Sequence, residues 1–122
     1  MKKILVTRKL IKENSDRMSK IFDVKSNDDD RIYLPNELLE YSKGCDGILS
    51  FTTTLLDEKL IMELPSSIKI ISNYAVGFGN IDIDAASKKG IIVTNTPDVL
   101  TDATADISIL LLLGASRRAF EG

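Results

Sequence analysis

The sequence predicts an α/β fold in which helices cover a parallel sheet on both faces. Short apolar runs rich in β-branched residues, such as "ILV", "IKII" and "IIV", recur along the 122 residues. Helical segments separate these runs, and this alternation is typical of parallel strands joined by right-handed crossovers. The runs are continuously apolar rather than alternating, which indicates strands buried on both faces.

The first half of the chain contains two strand signals and two helix signals. The apolar run in Lys2–Thr7 predicts the first strand, and apolar positions among many charges in Ile11–Ile21 predict an amphipathic surface helix. A second strand is predicted at Phe22–Ser26. The next helix is predicted to begin at Pro35, because proline suits a first helical turn, and to stop at Gly44.

The second half continues the alternation. Strands are predicted at Asp46–Phe51, Ile68–Asn73 and Ile91–Asn95, separated by short helices at Leu56–Leu64 and Ile81–Gly90. Five strands in this arrangement favour the flavodoxin-like order 2-1-3-4-5 in a doubly wound parallel sheet.

The last helix is predicted from Thr101, as N-cap, to about Phe120. Its segment Ile107–Ala115, "ISILLLLGA", is apolar around nearly the whole circumference, whereas a surface helix needs one apolar stripe about 100° wide. We therefore expect one face to pack on the sheet and the other on another domain or chain. The alternative is cover by a neighbouring helix of the same domain. Residues 1–100 are thus predicted to form one domain, and 101–122 an interdomain helix.

Composition excludes several classes of function. A net charge of −2 gives no electrostatic reason to expect nucleic acid or an anionic membrane as partner, and no apolar stretch is long enough for a membrane span. The single cysteine, Cys45, fits a reducing cytoplasm and a place in the core. The acidic run Asp28–Asp30 is interpreted as a solvated loop rather than a metal site, so no metal is expected. The chain has no histidine, so it cannot complete imidazole chemistry alone.

The loop "SNYAVGFGNID" (Ser72–Asp82) begins like the dinucleotide-binding pattern G-x-G-x-x-G. The third glycine position is Asp82, so the pattern fails, and Asp82 is predicted instead to cap the following helix. The glycines Gly77 and Gly79 have two interpretations. They bring backbone amides close to a bound anion, or they are needed for a tight strand-to-helix turn.

The segment Asn73–Arg118 carries the motifs "VGFGNID", "GIIVTNTP" and "DVLTDATAD" followed by a leucine-rich helix. It closely resembles the NAD(P)-dependent D-isomer-specific 2-hydroxyacid dehydrogenases, most of all their glyoxylate/hydroxypyruvate reductase branch. The resemblance implies hydride transfer between NAD or NADP and a small 2-oxo or 2-hydroxy acid. It also implies a Rossmann cofactor domain inserted after the long helix and absent from this chain.

The family's catalytic arginine, glutamate and histidine would lie in that absent part. The 122 residues alone are therefore predicted to be inactive and not to bind the cofactor tightly. The helix of residues 101–120 is expected to pack on the missing domain or in a homo-oligomer. The choice of 2-oxo acid, and of NADH or NADPH, stays open.

The resemblance assigns binding roles but no catalytic residue within the chain. It implies that the amides of Val76 and Gly77 hold the substrate carboxylate, while Gly79, where the family often has Asp or Asn, serves a left-handed backbone conformation. Thr52 and Thr53 would line the substrate pocket after the third strand, or be ordinary capping threonines. Thr104 would face the nicotinamide, or simply satisfy free amides at the helix start.

The rival hypothesis is a non-catalytic truncated module that binds small carboxylates or dimerises through the long helix. The reading frame beyond Gly122 discriminates between the two, since a strand followed by G-x-G-x-x-G would identify an enzyme segment.

Overall fold

The computed structural model describes residues 1–119 and 121, and contains a five-stranded, all-parallel sheet. The strand order is β2-β1-β3-β4-β5, which confirms the predicted flavodoxin-like arrangement. The strands are β1 (Lys3–Val6), β2 (Asp23–Lys25), β3 (Gly47–Ser50), β4 (Ile70–Asn73) and β5 (Ile92–Thr94).

Five helices alternate with these strands, in the predicted sequence of elements. Local signals set their ends: Pro35 lies in the first turn of its helix, and the Asp82 carboxylate accepts a hydrogen bond from the Ala85 amide at 2.9 Å. Gly44 adopts φ 75° after the second helix, as a C-terminal glycine does. The helices are α1 (Lys12–Ser19), α2 (Pro35–Ser42), α3 (Glu58–Glu63), α4 (Ile83–Lys88) and α5 (Thr101–Ser116).

The hydrophobic core lies on one face of the sheet. Leu5, Ile48 and Ile71 are paired across β1, β3 and β4, so their side chains point to the same face, and all are fully buried. Helices α2, α3 and α4 cover them with apolar side chains. Cys45 is buried in this core, as predicted.

The opposite face of the sheet is covered only in part. Helix α1 lies beside Leu49, but Ile70 is half-buried and Ile92, its partner on the edge strand, is 62% exposed. The prediction that helices cover both faces is therefore wrong for the β4–β5 side, because no described helix packs there. The strands are nevertheless continuously apolar, so burial of this face of the sheet under another segment or chain would be favourable.

Helix α5 departs most from prediction. Its apolar side chains between Ile107 and Leu113 are 54–68% exposed, and only Gly114 is buried. The expectation that one face packs on the sheet is wrong, because the chain leaves the sheet at the edge strand β5 and carries the helix away from it. Thr101 is not the N-cap: Leu100 takes that place, without a side-chain cap. The predicted end near Phe120 lies outside the described residues.

Candidate functional site

The loops that follow β3, β4 and β5 meet at the carboxyl edge of the sheet, where open α/β sheets bind ligands. They enclose an open hollow of about 540 Å³. The structure brings Thr52, Val76 and Gly77 together in its wall, but Thr53 is not among the lining residues. The lining residues are Thr52, Tyr74, Ala75, Val76, Gly77, Gly79, Asn80 and Leu100.

A polar network beneath the hollow ties two of these loops together. The Ser50 hydroxyl donates to Asn73 Oδ1 at 2.9 Å, and Asn73 Nδ2 donates to Asn80 Oδ1 at 2.9 Å. Asn80 Nδ2 in turn donates to the carbonyl oxygens of Phe51 and Thr54, each at 2.9 Å. Asn73 is only 1% exposed, so its bond from Ser50 competes little with water, whereas the bonds of Asn80 are partly buried. The network therefore fixes the loop after β3 against the loop after β4.

Aromatic packing joins the same two loops. The rings of Tyr74 and Phe51 stack with their centroids 5.1 Å apart, while Tyr74 stays half-exposed beside the hollow. Tyr74 therefore braces the loop by packing on Phe51. Within the described residues, no side chain that is charged at neutral pH lines the hollow. The polar groups available there are hydroxyls, an amide side chain and the backbone.

The backbone of the loop after β4 presents free amides. Among the described residues, the N–H groups of Val76 and Gly77 have no protein acceptor. Neither Gly77 nor Gly79 has a left-handed φ, and a Cβ added at either would meet nothing within 4 Å. The interpretation of Gly79 as a left-handed position is therefore wrong, because this turn closes through the Ile81 N–H to Phe78 oxygen bond with ordinary φ values. Protein sterics do not explain either glycine.

Thr53 is held away from the hollow by an ion pair. Its hydroxyl accepts a hydrogen bond from Arg8 Nη1 at 2.9 Å, and Arg8 Nε donates to Asp30 Oδ1 at 2.8 Å. Hydrogen bonds from the Arg8 side chain and the Lys9 amide lower the pKa of Asp30 to about 2. The Thr53 side chain is thus linked through Arg8 to the loop of Asp30, and it does not line the hollow as Thr52 does.

Thr104 lies in the first turn of α5 and is exposed. Its amide donates to the Leu100 carbonyl, and its own carbonyl accepts from the Ser108 hydroxyl at 2.8 Å. Leu100 lines the hollow while Thr104 does not. The start of α5 thus adjoins the hollow, and Thr104 lies one helical turn beyond it.

Sequence reasoning assigned no role to Asn73 or Asn80. A signal was available: Asn73 is an asparagine that ends an apolar strand, where its side chain must find partners in the core.

Across residues 1–119 and 121, no group of three or more His, Cys, Asp or Glu side chains is placed to hold a metal ion. In the same described part, no helix has the length and apolar character required to cross a membrane.

A parallel α/β sheet with a hollow outside the carboxyl ends of its strands has the architecture of ligand-binding α/β proteins. A comparison with protein families identifies the class of protein more closely. Residues 4–120 match the family described as "D-isomer specific 2-hydroxyacid dehydrogenase, catalytic domain". The chain belongs to this family of enzymes, as the sequence motifs indicate.

Individual relatives agree with this assignment. A glyoxylate reductase of Thermococcus litoralis is 40% identical over 119 residues, covering 98% of this chain and 36% of its own length. A glycerate dehydrogenase of Hyphomicrobium methylovorum is 40% identical over 121 residues, covering 99% and 38%. The crystal structure of a glyoxylate reductase from Paecilomyes thermophila superposes with a TM-score of 0.82 at 28% identity, covering 98% and 38%. The chain therefore spans little more than a third of the length of these relatives.

Proposed function

We propose that this chain is the substrate-binding segment of an NAD(P)H-dependent oxidoreductase. The enzyme would transfer a hydride between the nicotinamide and a small 2-oxo or 2-hydroxy acid of the glyoxylate or hydroxypyruvate kind. The observation that carries the proposal is the run of backbone amides without a described protein acceptor from Val76 to Asn80, which begins with those of Val76 and Gly77. Relatives described as glyoxylate reductase and glycerate dehydrogenase support the choice of substrate class.

The hollow suits a small carboxylate. Adjacent outward N–H groups form an anion nest, and a carboxylate accepts such bonds without a cation nearby. Because protein sterics do not demand glycine at Gly77, its bare backbone is best explained by the ligand's need to approach the amide. Thr52 adds a hydroxyl in the same wall, whereas Thr53 would act only through its bond to Arg8.

Helix α5 would join residues 1–100 to another domain or to a second copy of the chain. The exposed apolar surface of α5 supports a role as interdomain helix, covered by a cofactor domain or by a second copy of the chain. NAD or NADP would be bound mainly by that other domain, with Thr104 directed at the nicotinamide. Because the chain contains no histidine, these 122 residues alone are not expected to turn over substrate. The free Cys45 is consistent with a reducing cytoplasm.

Binding of glycolate, measured by calorimetry, tests the amide site. Glycolamide, which has the same size but no carboxylate, is the matched control ligand. Gly77→Ala should weaken glycolate binding at least tenfold, since the added methyl group shields the amides, and should leave the melting temperature unchanged. Gly44→Ala should have the opposite effects. It should lower the free energy of unfolding by about 1 kcal/mol, because Gly44 has a left-handed φ, and should leave glycolate binding unchanged. Equal binding of glycolamide, or unaltered binding by Gly77→Ala, would refute the site.

Catalysis is tested separately with the purified 122-residue chain, NADH and glyoxylate. No oxidation of NADH is expected, and measurable turnover would contradict the proposed need for a second domain. The exposed α5 also favours the rival, a non-catalytic module that associates through this helix. A reading frame that ends at Gly122 would support that rival, and one that continues into a dinucleotide-binding strand and loop would exclude it.

A further inference from the structure

The carbonyl groups of the loop after β4 are held from the side of the neighbouring loop that follows β5. The Ala75 oxygen accepts two hydrogen bonds from Thr96, one from its N–H at 2.9 Å and one from its hydroxyl at 3.0 Å. The next oxygen, that of Val76, accepts a hydrogen bond from Asn95 Nδ2 at 2.7 Å. Two consecutive peptide groups are therefore anchored by two consecutive residues of another strand end.

Anchoring a carbonyl also orients the amide of the next residue. In a planar trans peptide the C=O and the following N–H point in opposite directions. Thr96, by holding the Ala75 oxygen, directs the Val76 N–H away from β5. In the same way Asn95, by holding the Val76 oxygen, directs the Gly77 N–H away from the Asn95 side chain.

We infer that Asn95 and Thr96 are positioning residues for the carboxylate nest, with Asn95 setting the Gly77 amide and Thr96 the Val76 amide. The inference rests on the proposed function, since it concerns the same two amides. Neither side chain touches the substrate: Asn95 and Thr96 lie behind the peptide groups and are not in the wall of the hollow. They act because a nest binds an anion well only when both N–H vectors converge before the anion arrives.

The two side chains make separable contributions. Asn95 provides the only described bond to the Val76 oxygen, so its removal frees that peptide group to rotate. Thr96 provides two bonds to the Ala75 oxygen, and a valine at this position keeps the bond from the N–H. Asn95→Leu should therefore weaken glycolate binding about five- to tenfold, and Thr96→Val about twofold.

The test is a titration of the ¹⁵N-labelled 122-residue chain with glycolate, followed by amide chemical shifts, with glycolamide as control. In the wild type the Val76 and Gly77 amide protons should both move downfield. In Asn95→Leu the Gly77 shift should fall selectively, and in Thr96→Val the Val76 shift. A merely structural role would lower the melting temperature without separating the two amides. Asn36→Leu, at an exposed position on α2, is the matched control and should bind like wild type.

The outcomes are distinct. If the wild type shows no glycolate-dependent shift at either amide, both the proposed site and this inference are overturned. If the wild type responds and Asn95→Leu retains its affinity and both shifts, the inference alone is overturned. Should Asn95→Leu fail to fold, Thr96→Val decides, because it removes a single hydroxyl. An unaltered Val76 shift in that variant would then refute the positioning role.

Discussion

Replacing Asn80 by aspartate should cost the fold about 2–4 kcal/mol while keeping the shape of the side chain. The wild-type Nδ2 donates to the carbonyl oxygens of Phe51 and Thr54, each at 2.9 Å. A carboxylate at that place removes both donors and turns a negative oxygen toward two carbonyl oxygens. Each half-buried carbonyl left unpaired costs roughly 1–2 kcal/mol. For 122 residues this loss corresponds to about 8–16 °C in melting temperature.

The deficit of Asn80→Asp should depend on pH. The carbonyl oxygens of Phe51 and Thr54 favour the protonated carboxyl, which can donate one of the two lost bonds, so the pKa of the new carboxyl is raised in the folded state. When folding raises the pKa of a carboxyl, the fold is more stable with the protonated carboxyl than with the carboxylate. This extra stability is present at low pH and is lost as the pH rises through the raised pKa. The difference in stability between Asn80→Asp and the wild type should therefore be smaller at pH 4 than at pH 7.

The assay is thermal unfolding followed by circular dichroism at both pH values. Asn36→Asp is the matched control: Asn36 is exposed in the first turn of α2, where a carboxylate interacts favourably with the helix dipole and raises stability by about 0.3–1 kcal/mol. A melting temperature of Asn80→Asp equal to that of the control, or a deficit that is the same at pH 4 and pH 7, would refute the argument that this side chain clamps the two loops.

Three further outcomes follow from individual contacts. Asp30 and Glu37 have pKa values lowered to about 2 by arginine hydrogen bonds, so their stabilisation is present above about pH 4 and lost as the pH falls toward 2. A melting temperature that stays constant from pH 5 to pH 2 would contradict this. Gly47→Ala should lower the free energy of unfolding by about 1–3 kcal/mol in urea, since its Cβ would lie 2.8 Å from Ile70 Cγ2; an unshifted urea midpoint would exclude the clash. Leu112→Glu, at a position 68% exposed, should leave the melting temperature unchanged and reduce self-association in light scattering, and unreduced association would count against α5 as a contact surface.

The elements of the fold could be predicted because their signals are local. Pro35, Gly44 and Asp82 start or stop helices through bonds and φ values within a few residues, and each acts in the structure as expected. The apolar runs place the strands, and the rule of right-handed crossovers then leaves few strand orders. The residues of the loop alone left two interpretations of its glycines open, and only the resemblance to a known family pointed to the amides of Val76 and Gly77.

The supports of that loop depend on strand register, which sequence spacing does not reveal. Asn73 reaches Ser50 because β3 and β4 pair at those residues, and Asn95 reaches Val76 only because β5 lies beside β4. Thr53 likewise turns from the hollow because the folded chain brings Arg8 to it.

The long helix shows the same division between sequence and tertiary structure. The sequence by itself determined that α5 is a helix that needs cover, since its apolar residues surround the axis. Only the tertiary structure decided that the described residues of this chain do not provide that cover. Hydrophobicity is a property of each side chain, whereas burial depends on where the rest of the chain places its own apolar surface.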